Sequence, residues 1–173
     1  MMTELIVTLP EQWINADKFE QALLRQTAPT SFNGSTAIIF RVPPSCKIMV
    51  EAAVRLLSLT NQLAALGGAV TLAFEGNQND AMSWLNRANF FAVLSEQVCV
   101  LPSRPDATIV QRYQGQSKNL VEFKSIGSSH DEESIQPLPS QLADALEALM
   151  ETHPGRSGLS DAAYTVFCEL INN

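Results

Sequence analysis

Histidine, cysteine and basic residues are all scarce in this chain of 173 residues. It contains two histidines and three cysteines without a CxxC pair, so we expect no zinc site. Cys46, Cys99 and Cys168 are widely spaced, which predicts reduced, mostly buried thiols in a cytoplasmic protein. The net charge of −7 argues against nucleic acid or an anionic membrane surface as a partner.

Long apolar runs are absent as well. No uninterrupted apolar segment reaches membrane-spanning length, so we expect no transmembrane helix. The N-terminal residues MMTELIVTLPEQW have neither a basic start nor a long apolar stretch, which is unlike a secretory signal. Apolar material is nevertheless plentiful, because 46% of the residues are hydrophobic and 17% are charged. This balance predicts a globular protein with one domain, or one domain and an appendage.

Short β-branched segments alternate with longer segments of helical periodicity in the N-terminal part of the chain. Asn15 is a good N-cap for the first helix, and Gly67-Gly68 is a good stop for the second. The alternation predicts an α/β sandwich with a mostly parallel central sheet, whose two central strands are covered on both faces. The predicted strands are 5–10, 36–42, 69–74 and 98–101, and the predicted helices are 15–27, 45–66 and 80–97.

The apolar positions of the predicted helices indicate which residues face the core. In helix 80–97 the polar segment Asn86–Asn89 is predicted to be an exposed face, or else part of a partner surface. Trp84 and Phe90-Phe91 are predicted to be core residues, and any of them that lies outside would be an anchor for a partner. Residues expected to point inward are Phe19, Leu23 and Leu24 in the first helix, Ile48, Ala52, Val54, Leu57, Leu59, Leu63 and Leu66 in the second, and Trp84, Leu85, Phe91 and Leu94 in the third.

After Arg104 the pattern changes. Strands at 108–113 and 120–126 are predicted to form a β-hairpin across a polar turn, and an acidic loop follows. The three adjacent carboxylates Asp131–Glu133 are expected to be solvated rather than to bind a metal. Two C-terminal helices are predicted at 139–153 and 160–173. The expected organisation is a domain at 1–106, a hairpin and loop at 107–136 that extend the sheet, and helices at 137–173.

The stretch from Thr36 to Ser103 resembles a STAS domain, the fold of bacterial anti-sigma factor antagonists. The resemblance lies in the order of its segments: AIIFRV, SCKIMVEAAVRLL, GGAVTLAF, WLNRANFFAVL and VCVLPS. It implies a STAS-like sandwich and a regulatory role in bacterial signalling by partner switching. The implied partner is a protein of the sigma-regulator or kinase type.

Ser45 falls where this family has its phosphorylatable serine. The family places Asp-Ser-Ser-Gly, or a close variant, at the junction of the strand with the long helix. Here the junction is Val42-Pro43-Pro44-Ser45-Cys46, so the aspartate and the glycine are missing. Two interpretations therefore remain open: Ser45 is the N-cap of the long helix, or it is a regulated phosphoacceptor.

The C-terminal sequence SGLSDAAYTVFCELINN resembles the first helix of a GHKL-type ATPase, the family of histidine kinases and anti-sigma kinases. The family's N box, Glu-Leu-x-x-Asn, corresponds to Glu169 and Asn173, which implies roles in activating water and in holding Mg²⁺ on ATP. The glycine-rich boxes of that family are missing here. We therefore expect no catalysis and no cofactor for the chain as given, and an ordinary packing helix remains an alternative for this segment.

The function predicted from these patterns is a regulatory protein–protein interaction module that resembles anti-sigma factor antagonists. The alternative is the N-terminal part of a longer GHKL-type ATPase or serine kinase, whose Mg-ATP site would be completed by sequence beyond Asn173. A third interpretation, a small-ligand-binding α/β module, is left open because fold does not determine function. Homodimer formation is also left open.

Overall fold

A computed structural model of the chain describes residues 3–25, 36–76, 80–106, 122–123, 137–150, 162–166 and 168. The chain separates into two units, Met1–Ala107 and Thr108–Asn173. In chain order the elements are β1 (Thr3–Thr8), β2 (Trp13–Ile14), α1 (Ala16–Leu24), β3 (Thr36–Val42), β4 (Lys47–Ile48), α2 (Val50–Ala65), β5 (Ala69–Phe74), α3 (Asp80–Arg87), α4 (Phe90–Val93), β6 (Cys99–Leu101) and α5 (Leu138–Met150).

The central sheet of the first unit is parallel throughout, with strand order β1-β3-β5-β6. This confirms the predicted α/β fold with a mostly parallel sheet. Because successive parallel strands are neighbours and their crossovers are right-handed, the connecting helices lie on one face of the sheet. The register aligns Val7, Phe40, Leu72 and Val100 across the four strands on that face, and all four are buried.

The opposite face of the sheet is less covered. Ile39, Thr71 and Ala73 are half-buried there, and Arg41 is exposed. The expectation that β3 and β5 are covered on both faces therefore holds for one face only. Both strands are continuously apolar in sequence, so they do not show the alternation of buried and less buried residues. That alternation results when helices cover only one face of a sheet.

Helix α2 begins at Val50, so the prediction that Ser45 caps it is wrong. Residues Lys47 and Ile48 form β4 instead, and the backbone N–H groups of Lys47 and Met49 donate to the carbonyls of Gln12 and Ile14 at 3.1 and 2.9 Å. Met49 is the N-cap and supplies no side-chain acceptor. Pairing with a distant segment keeps residues 47–48 extended, which a local capping signal cannot reveal.

The end of α2 is as predicted. Gly67 has φ +82°, and its N–H donates to Ala64 O at 2.9 Å, while the N–H of Gly68 donates to Leu63 O at 3.0 Å. With Gly67 in the left-handed region, these two bonds satisfy carbonyls that the last turn of the helix would otherwise leave unpaired.

The predicted helix 80–97 is two helices, α3 and α4. Asn89 lies between them with φ 65°, in the left-handed region that asparagine tolerates better than most residues. Ala88, just before it, is buried, so Asn86–Asn89 is not a uniformly exposed face. Leu85, Phe91 and Leu94 are buried as predicted, whereas Trp84 is half-buried.

In the second unit, α5 agrees with the predicted helix 139–153, and Leu138 and Ala143 are buried. Residues 162–166 and 168 are helical, in agreement with the last predicted helix. The predicted hairpin and acidic loop lie outside the described residues, apart from Glu122 and Phe123, neither of which is in a strand. Among all described helices, none combines the length and apolar character that a bilayer crossing requires.

Candidate functional site

A two-stranded parallel ribbon, β2 with β4, lies beyond the carboxyl edge of the central sheet. β2 follows β1 and β4 follows β3, and parallel strands end at the same edge. Trp13 is in register with Lys47, and Ile14 with Ile48. The carboxyl edge of an open α/β sheet is where ligands and partners most often bind, so this ribbon marks the candidate site.

Alternation along the ribbon separates its two faces. Ile14 and Ile48 are 0% and 5% exposed and face the core, so Trp13 and Lys47 point outward together. The Nζ of Lys47 lies 5.2 Å from the centroid of the Trp13 ring, within the range of a cation–π contact. The Nζ of Lys18 donates to the Trp13 carbonyl at 3.0 Å, which helps to hold the ribbon on α1.

A cavity of about 540 Å³ adjoins the ribbon. One wall is formed by Trp13, Lys47 and Ile48 of the ribbon, together with Met49, Val50 and Glu51 at the start of α2. This volume falls in the range of about 300–1,000 Å³ that is usual for small-molecule pockets. The wall combines two large apolar side chains, Trp13 and Met49, with the ammonium group of Lys47.

Helix α3 forms the other wall of the cavity. It contributes Asp80, Ala81 and Ser83 from its first half, and Trp84 and Arg87 from its second. Since the chain has two tryptophans, Trp13 and Trp84, every tryptophan of the protein lines this cavity. An aromatic side chain on each wall provides two surfaces against which a planar group can pack.

Two cations and two carboxylates line the cavity. Glu51 and Asp80 lie in the first turns of α2 and α3, where the positive end of each helix dipole offsets their charge. Arg87 lies in the last turn of α3, where the negative end of the helix dipole stabilises its positive charge. Lys47 is in strand β4, so no helix end stabilises its charge, and its ammonium group contacts the Trp13 ring instead. Within the described part of the chain, neither Lys47 nor Arg87 forms an ion pair.

Four large apolar side chains are exposed around the mouth of the cavity, and we call them the apolar rim. They are Trp13, Met49, Val50 and Val54, with exposed fractions of 61%, 40%, 59% and 47%. Val50 and Val54 are one turn apart and share a face of α2. Val54 does not line the cavity, so the apolar rim extends beyond it along the helix. The predicted stripe residue Val54 is therefore a surface residue.

Ser45 lies on an exposed turn between β3 and β4, two residues before Lys47. Ser45 is close in sequence to the ribbon, but it lies five residues before the start of α2. A phosphate on Ser45 would therefore not lie in the first turn of that helix. Its neighbour Cys46 is fully buried, and burial raises the pKa of that thiol from 9.0 to about 12. Cys99 is exposed and Cys168 is half-buried, which corrects the expectation of mostly buried thiols.

Glu169 and Asn173, the predicted N-box residues, lie outside the described residues, so the ATPase alternative stays a prediction. In the part of the chain that is described, no group of three His, Cys, Asp or Glu side chains is arranged to hold a metal ion. Sequence analysis missed the ribbon and the cavity. The sequence offers no signal long enough to find them, because the paired strands Trp13-Ile14 and Lys47-Ile48 have two residues each.

Comparison of the chain with models of protein families, with characterised proteins and with solved structures finds no match. The resemblance to STAS domains and to the GHKL N box therefore rests on the sequence segments quoted above.

Proposed function

We propose that this chain is a cytoplasmic regulatory module that binds a protein partner through the apolar rim, in bacterial signalling of the partner-switching kind. The observation that carries the proposal is the grouping of four large apolar side chains, each at least 40% exposed, around one edge of the sheet. Clusters of exposed apolar residues are typical of protein interaction surfaces, and tryptophan is enriched among the residues that anchor them.

The extent of the apolar rim favours a protein as its occupant. Val54 is 47% exposed and lies outside the cavity, so a small molecule inside the cavity would leave it in water. A partner that lies along the first turns of α2 would cover Val50 and Val54 together with Trp13. Burial of those three side chains is a favourable contribution to binding.

Ser45 is the proposed point of regulation, by a partner of the kinase type. Its exposure on a turn leaves the hydroxyl within reach of another protein. A phosphate there would add about two negative charges two residues from Lys47. The proposed effect is a change of charge beside the apolar rim, since the start of α2 at Val50 removes any capping role for Ser45.

The proposal is tested by purifying tagged chain from its native host and quantifying the proteins that remain bound. The key variant changes Val50 and Val54 to Gln. Leu66→Gln is the matched control, because Leu66 is also a large apolar residue, 81% exposed, but it is the C-cap at the opposite end of α2. We expect a protein kinase or another signalling regulator to be retained by the wild type and by Leu66→Gln and lost from the double variant.

Ser45→Asp belongs in the same experiment and should reduce retention of that regulator while the fold is unchanged. Equal retention by the wild type, the double variant and the control would contradict the assignment of the apolar rim as the interaction surface. Retention of metabolic enzymes or chaperones alone would contradict the regulatory role.

A further inference from the structure

The cavity between the ribbon and α3 shares Trp13, Met49 and Val50 with the apolar rim, but it also has charged side chains and Trp84 in its lining. We propose that it binds a small planar aromatic molecule that carries one negative charge. This inference concerns a ligand class and does not depend on the protein partner proposed above. It rests on three properties of the cavity: its volume, its two tryptophans and the charge balance of its walls.

Volume and position make this cavity suitable for a ligand. About 540 Å³ is enough for a molecule of two or three fused or linked rings, and the cavity lies at the carboxyl edge of a parallel sheet. Its floor includes Ile48 and Ala81, which are 5% and 2% exposed, so a ligand there would contact the core rather than only the surface.

Aromatic side chains on both walls favour a planar ligand. Trp13 comes from the ribbon and Trp84 from α3, so an aromatic ligand in the cavity has an indole from each of these elements within its lining. Aromatic groups pack against indole rings in offset-stacked or edge-to-face arrangements, which adds to the gain from apolar burial. A flexible aliphatic chain would lack this directional contribution.

The charge of the ligand follows from Lys47. The carboxylates of Glu51 and Asp80 and the guanidinium of Arg87 each lie at a helix end that stabilises their charge, whereas Lys47 lies in the ribbon beside Trp13. Its ammonium group lies 5.2 Å from the Trp13 ring centroid, so it occupies the position on that ring that a cationic ligand would need. An anionic group beside Lys47 would complete a charge-assisted contact at the edge of the aromatic cavity.

Tryptophan fluorescence provides a direct test, because both tryptophans of the chain line the cavity. The probe is 1-anilinonaphthalene-8-sulfonate, an aromatic anion with a flat naphthalene ring system that accepts excitation energy from tryptophan. Its matched neutral counterpart is N-phenyl-1-naphthylamine, which has the same rings without the sulfonate. We expect saturable, one-site energy transfer from the protein to the anionic probe, and weaker binding of the neutral one.

Three variants separate specific binding from general hydrophobic adhesion. Lys47→Gln should weaken binding of the anionic probe roughly tenfold, the effect of one charge-assisted contact, and leave the neutral probe unchanged. Arg87→Gln should have a smaller effect in the same direction. Arg41→Gln is the control, because Arg41 is exposed in β3 and does not line the cavity, and it should have no effect.

The proposal would be overturned by transfer that does not saturate, by equal affinity for the two probes, or by equal effects of Lys47→Gln and Arg41→Gln. Trp13→Phe and Trp84→Phe add a positional check, since each leaves one indole in the cavity and transfer from the remaining tryptophan should persist. Retention of the protein partner does not enter any of these measurements, so their failure would leave the proposed function standing, and the reverse is also true.

Discussion

At the scale of single residues, Cys46 and Cys99 differ in solvent exposure, and this difference decides the reactivity of each thiol. Cys46 follows β3 and has no exposed surface, and its backbone N–H donates to Pro43 O at 3.1 Å. Cys99 opens β6 on the less covered face of the sheet and is exposed. A thiol reacts as the thiolate, so burial that raises the pKa of Cys46 to about 12 makes it inert, whereas Cys99 is accessible.

We therefore expect Cys99 to react with a thiol reagent in the native protein at least tenfold faster than Cys46, and both to react alike in denaturant. Mass spectrometry of the labelled peptides measures the two rates separately.

Burial also predicts a pH effect: the neutral Cys46 thiol contributes stability that is fully present below pH 9 and is lost as the pH rises towards 12. Cys46→Ala should reduce that loss, and an unchanged loss in Cys46→Ala would contradict this origin of the effect.

At the scale of elements, Arg104 holds the chain where α4 ends and β6 begins. Its guanidinium donates four hydrogen bonds, of 2.7 to 3.1 Å, to the carbonyls of Phe91, Leu94, Ser95 and Val98. The last carbonyls of a helix lack partners within it, so one planar donor with five N–H groups satisfies several of them at once. Asn61 of α2 adds to this junction by accepting from Ser95 N at 2.8 Å and donating to Val93 O at 3.0 Å.

Replacement of Arg104 by Gln should lower the free energy of unfolding by about 2 kcal/mol, because half-buried carbonyls lose charged donors. Urea denaturation measures the change. Arg41→Gln serves as the control, since Arg41 is an exposed arginine of the same unit, and it should alter stability by only a few tenths of a kcal/mol, about the usual effect of a surface substitution. Equal losses in the two variants would show that the four bonds do not stabilise the junction.

The bounds of an element can be predicted from the sequence where local signals determine them. The bounds of β3 and β5 are as predicted, because Pro43 directly follows β3 and Gly68 directly precedes β5. The ribbon strands β2 and β4 have two residues each, too few to show periodicity. They also depend on pairing between segments that are far apart in the sequence, and that pairing moves the start of α2 from Ser45 to Val50.

The buried face of α2 shows a different limit. It consists mainly of small residues, Ala52, Ala53 and Ala64, with Leu56 and Thr60 between them. Small side chains allow a helix to approach the sheet closely, and the buried Thr60 hydroxyl is satisfied by the Leu56 carbonyl at 2.8 Å. The spacing of the large apolar residues predicts instead that Val54 and Leu66 face the core, but they are 47% and 81% exposed. Leu24 of α1, at 83% exposed, is the same error.

At the scale of the whole molecule, the features with the clearest functional meaning lie at one edge of one unit. The ribbon, the cavity, the apolar rim and the turn with Ser45 all lie beyond the carboxyl ends of β1, β3 and β5, where the chain leads into the helices. The site could not be predicted from sequence, because Trp13 and Trp84 share a cavity only through the tertiary fold. The central claim of our account is that a signalling protein binds at this edge.

Site-specific photocrosslinking in the native host tests that claim most directly. A benzophenone amino acid at Val50 places the reactive group in the apolar rim, and the same amino acid at Leu66 places it on the far end of α2 as a control. We predict a single abundant adduct from position 50, containing a signalling regulator, and none of that adduct from position 66. Absence of an adduct at position 50, or the same adducts from both positions, would contradict the account.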